Sequence, residues 1–89
     1  MALTKETVVD KIEVLEMGQV QVRTATRVKE DGAVLSSSFH RHVVHPSIKT
    51  GDIWADTDIS GEDARVQAVA NATWTDSVKT AYQEMIDAQ

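Results

Sequence analysis

Eighty-nine residues with a formal net charge of −5 make one small acidic domain, which argues against a nucleic-acid ligand, because that needs a basic face. There is no cysteine, so disulfides and thiolate metal sites are excluded, and no apolar run approaches the roughly 20 residues of a membrane span. The aromatics are only Phe39, Trp54, Trp74 and Tyr82, and a domain this small buries only about 60–65% of its unfolded surface, so support from a partner or from further copies is expected.

The N-terminus, "MALTKETVVDK", lacks the apolar h-region of a signal peptide, and a chain made in a cytoplasm is expected. Residues 8–45 then alternate in period two and predict a three-stranded antiparallel β-meander. Asp31-Gly32 is a two-residue hairpin signal that pairs Glu30 with Ala33. Carried along the strands, that register sets Val28 against Leu35, Thr24 against Phe39, Val22 against Arg41 and Val20 against Val43. At the earlier turn a three-residue loop, Glu16-Met17-Gly18, pairs Val14 with Val20 and Ile12 with Val22. The expected buried face is Val14, Val20, Val22, Val28, Leu35, Phe39 and Val43, with Arg23, Arg27 and His40 pointing away.

Residues 46–59 read as a loop weighted with Ile48, Ile53, Trp54 and Ile59, which should pack down or form a contact surface. Residues 60–87 read as a helix packed on one face of the sheet, so the fold class is α+β. Ser60 with Asp63 resembles a capping box. The stripe Val66, Val69, Ala70, Trp74, Val78, Ala81 and Met85 drifts around the axis by about a third of a turn. Either the helix breaks near Thr75-Asp76, or its second half faces something other than the sheet. Ala64, Ala68 and Ala72 form a second, smooth stripe, open to another helix, or there simply because alanine favours helices.

Two stretches could bind metal. In "FHRHVVHP", His40 and His42 share one strand face; one chain offers two ligands where zinc wants three or four, and a symmetric trimer would gather six. The alternative is a pair of histidines on an exposed face, hydrogen-bonded to Ser or Gln across the ladder. In "DTDISGEDARVQ", Asp56, Asp58 and Ser60 fall at positions 1, 3 and 5 of a calcium loop, but Gln67 replaces the bidentate Glu; the alternative is a loop end that caps a helix. No cofactor is expected. Nor is an enzyme, because no nucleophile elbow, glycine-rich phosphate loop or H-E-x-x-H orders the polar residues.

The segments "VQVRTATRVKEDGAVLSSSFHRHVVHP" and "DISGEDARVQAVANATWTDSVKTAYQ" together resemble a family of small proteins encoded by tailed bacteriophages, marine and cyanobacterial ones in particular. The resemblance covers about Val8 to Tyr82, and "SIKTGDIWADT" departs from it. It implies a virion structural protein of the tail, baseplate or fibre, and no functional residue is carried over. The H-x-H spacing is similar to the iron-binding pair of trimeric phage tail spikes. The expected partners are the chain itself, as a trimer by that analogy, and other virion proteins, with Trp54, Tyr82, Ile86, Ala64, Ala68 and Ala72 near the contacts. The alternatives are a non-virion accessory protein that binds a host or phage partner, and a metal-stabilised trimeric binding module.

Overall fold

Two turns with positive φ set the meander. Asp31 (φ 50°) and Gly32 (φ 86°) make a type I′ turn, which joins Glu30 to Ala33 as expected. Gly18 (φ 87°) ends the Glu16-Met17-Gly18 loop, which Leu15 closes by donating its N–H to Gln19 O at 2.8 Å. Val14 pairs with Val20 and Ile12 with Val22, the expected register.

The computed structural model describes residues 2–89. In chain order these form β1 (Leu3–Val14), β2 (Val20–Glu30), β3 (Ala33–Val44), β4 (Ser47–Thr50), β5 (Ile53–Asp56), α1 (Ala64–Thr73) and α2 (Asp76–Asp87). The first three strands form one antiparallel sheet with β2 in the middle, and β4 and β5 form a separate two-stranded sheet. The architecture is α+β.

The second hairpin departs from the expected register. Lys29 pairs with Val34, but Val28 pairs with Ser36, so Leu35 is an extra, bulged residue on β3. From there on every side chain of β3 is flipped. Ala25, not Thr24, faces Phe39, while Val22 faces His42 and Val20 faces Val44. The expected core is corrected accordingly. Leu35, Phe39 and Val43 lie exposed, Phe39 at 51%, as does Val14 on β1 although its register is the expected one, and the core is Val20, Val22, Val44, Val66, Ala70 and Trp74. A second bulge lies on β1 between Val9 and Lys11.

The expected loop at 46–59 contains a hairpin instead. Gly51 (φ 62°) is followed by Asp52 with negative φ, the combination of a type II′ turn, and Thr50 pairs with Ile53 across it. Four-residue strands with few apolar positions carry little alternation, so the turn was the only usable signal.

The expected helix divides at Trp74-Thr75. Asp63, not Ser60, caps α1 by accepting from Arg65 N at 2.9 Å. Trp74 leaves helical geometry (ψ 69°) and Thr75 caps α2 by accepting from Val78 N. The drifting stripe follows from this. Val66, Ala70 and Trp74 pack on β2 and β3, whereas Tyr82 packs against Trp54 of the hairpin, ring centroids 6.1 Å apart and nearly perpendicular. Both explanations offered for the drift hold.

The helices and the small hairpin gather at the Gly18–Val44 end. Trp74 Nε1 donates to Gly18 O at 2.7 Å, and Arg65 donates to Val9 O. Among the described residues, the sheet side chains that pack with the helices in the core are Val9, Ile12, Val20, Val22 and Val44, all toward this end. The molecule measures 56 × 23 × 21 Å, and its radius of gyration is 16.8 Å, against about 12 Å for a compact chain of this length. It is a small head with a bare three-stranded sheet projecting from it.

Candidate assembly surface

β3 is an edge strand in which every residue from Ala33 to Arg41 is exposed. An edge offers unpaired N–H and C=O groups to another strand unless charges, proline or bulges blunt it. The two edges of this sheet differ in that respect. β1 carries Lys5, Glu6, Asp10, Lys11 and Glu13 and is bulged at mid-strand. From Ser36 to Val44, β3 has no bulge, no proline and one formally charged residue, Arg41. Phe39, Arg41 and Val43 all lie on the face opposite the helices, because they pair with Ala25, Arg23 and Gln21.

That outer face is held by an ion-pair network that the sequence pattern did not suggest. Arg23 donates to both oxygens of Asp10, at 2.9 and 2.8 Å, and its guanidinium lies 4.6 Å from the Phe39 ring centroid. Asp10 can reach Arg23 because it is the extra residue of the β1 bulge. Lys29 and Arg27 approach Glu6 at 2.9 and 3.7 Å. The hydrogen bond from Arg23 holds the Asp10 carboxyl below its ordinary range, and the one from Lys29 does the same for Glu6. The Arg23 guanidinium is correspondingly raised by Asp10. No such partner is found for Arg41 among the described residues.

The histidines lie on the other face. The bulge turns His40 and His42 toward the helix side rather than away from it, with ring centroids 6.3 Å apart. His42 Nε2 is 2.7 Å from Glu62 Oε1, a contact that ties β3 to the segment ahead of α1. Among the described residues no three His, Cys, Asp or Glu side chains come together to hold a metal ion. The residues of the calcium pattern are separately engaged. Asp56, on β5, pairs with Lys79 at 3.0 Å, and Asp58 accepts from Ser60 N at 2.9 Å, which lowers its carboxyl. Gln67 donates to Glu62 O at 2.9 Å and serves the entry to α1.

The expected contact residues fall into two groups. Trp54 and Tyr82 meet within the chain, Tyr82 being 6% exposed and also flanked by His45 at 5.8 Å. Trp54 Nε1 and Lys49 both donate to Asp87, at 3.2 and 2.7 Å. Ile86 is half-buried, and Ala64, Ala68 and Ala72 line an exposed face of α1. The outward face of the hairpin adds Ile48 and Ile53, the latter 74% exposed.

Charge is divided between the parts. Residues 1–45 hold six basic and six acidic side chains, while residues 46–89 hold three basic and eight acidic ones. The whole negative excess sits in the head. No helix among the described residues is long and apolar enough to cross a membrane. The chain matches no family, no curated protein and no solved structure in the comparisons with known proteins.

Proposed function

We propose that this chain is a structural subunit of a tailed-phage particle, in its tail, baseplate or fibre, and works by assembly rather than catalysis. What supports assembly is the unblunted β3 edge beside exposed Val34, Leu35, Phe39 and Val43, on a sheet that no helix covers along its outer half. A lone domain would gain by burying those side chains, at about 25 cal/mol per Å² of apolar surface. The placement in a phage particle rests on the resemblance of the strand end and helix segments. Mass spectrometry of purified particles tests it. The chain should be present at a fixed copy number relative to the major tail proteins. Its absence from particles, with the protein found only in infected-cell lysate, would favour an accessory protein that binds its partner outside the virion.

A further inference from the structure

Taking the assembly reading one step further, we infer that the β3 edge is the contact and that its occupant is β3 of a second copy, paired antiparallel about His40. Along an antiparallel strand, successive residues turn their main-chain groups alternately toward one neighbour and the other. Glu30 and Ala33 flank a two-residue turn and so form a hydrogen-bonded pair. Alternation through the bulge then directs the main-chain groups of Ser36, Ser38, His40 and His42 toward β2. Those of Ser37, Phe39, Arg41 and Val43 are left pointing to the open edge. The regular, unbulged stretch that offers these groups is Ser37–Val43, and its midpoint is His40. Full self-pairing of the stretch therefore fixes one register: Phe39 opposite Arg41 of the second copy, Ser37 opposite its Val43, and His40 opposite its His40.

The side chains fit that register. The one formal cation of the stretch meets an aromatic ring on each side of the two-fold axis, an arrangement Arg23 already makes with Phe39 inside the chain. No like charges are opposed. A level pairing of β3 with β1 of another copy would instead place Arg41 beside Lys11, since both pair with Arg23 in the sheet, and would meet the β1 bulge. Ring closure through unlike edges, as in the trimer the fibre analogy suggests, is disfavoured for that reason, and an isologous dimer with a continuous six-stranded sheet is favoured.

Three measurements on the purified full chain test this. Light scattering after size exclusion should show a reversible dimer of the 9.8 kDa chain. His40→Cys should form a disulfide-linked dimer on mild oxidation, because non-hydrogen-bonded partners sit about 4.5 Å apart at Cα; Ser38→Cys, which faces His42, should not. Phe39→Lys should weaken the dimer at least tenfold by opposing two cations, and Phe39→Lys with Arg41→Glu should restore it, with circular dichroism unchanged in both. A monomer at every concentration, a trimer, or a dimer indifferent to Phe39→Lys and not linked through His40→Cys would overturn the pairing. The particle reading would still stand or fall on mass spectrometry alone.

Discussion

At the scale of single residues, Gly18 shows how a backbone conformation and a close contact add. It has φ 87°, and a Cβ there would lie 2.6 Å from Val78 Cγ1 and 3.2 Å from Pro46 Cγ. Gly32 has nearly the same φ with nothing within 4 Å. Gly32→Ala should therefore cost about 1 kcal/mol from conformation alone, and Gly18→Ala about 2–4 kcal/mol with overpacking added. Urea unfolding of the two variants measures the difference. Phe39→Ala, at an exposed site, should change monomer stability by less than about 1 kcal/mol. Trp74→Phe should cost about 1–3 kcal/mol, because it strips the buried Gly18 carbonyl of its donor. Asp10 supplies a pH dependence. Its folded-state carboxyl is depressed, so its contribution to stability is complete above the ordinary Asp range and fades as pH falls through the folded value. Asp10→Asn should flatten the acid limb of stability between about pH 5 and pH 2, measured as unfolding midpoints across that range.

Among the elements, the two meander turns and the first-hairpin register were legible because Asp-Gly and a lone glycine between apolar runs admit few solutions. The β3 bulge was not. A single extra residue leaves the period-two pattern intact on either side of it, and only the ladder reveals the change of face. The same slip hid the candidate surface: the expected register set Phe39 and Arg41 on the face of Val20 and Val22, whereas both lie on the opposite face of one open edge strand. The helix break was readable from the drift of the apolar stripe, but the surface that α2 packs on was not, because the β4 and β5 strands are too short to show a pattern. That hairpin is held on α2 by half-exposed polar contacts and one aromatic pair. Its amides should exchange with solvent well before those of Val20 and Val22, and Asp87→Ala should accelerate exchange across 47–56 while leaving β2 protected. Uniform protection across the chain would contradict this division.

At the scale of the whole molecule, the sheet and the head are different kinds of structure. The head owns the buried core and the net charge; the projecting sheet is electrically balanced and exposes Leu3, Val34, Leu35 and Phe39. A fold this elongated keeps much of its surface wet, and composition alone foresaw that shortfall, from the few large side chains available. It could not say that Val34, Leu35, Phe39 and Val43 would all lie exposed on one edge strand.

The uneven charge has a consequence for how copies meet. With the negative excess at one end of a 56 Å rod, the molecule has a permanent electric dipole along its long axis. Two such rods approaching in solution are turned by each other's field before they touch, and heads avoid heads. An antiparallel encounter, each head beside the other's bare sheet, is the orientation that field selects. Adding salt, with a Debye length near 8 Å at physiological strength, screens the repulsion between two chains of net charge −5 and should speed association while relaxing that choice of orientation.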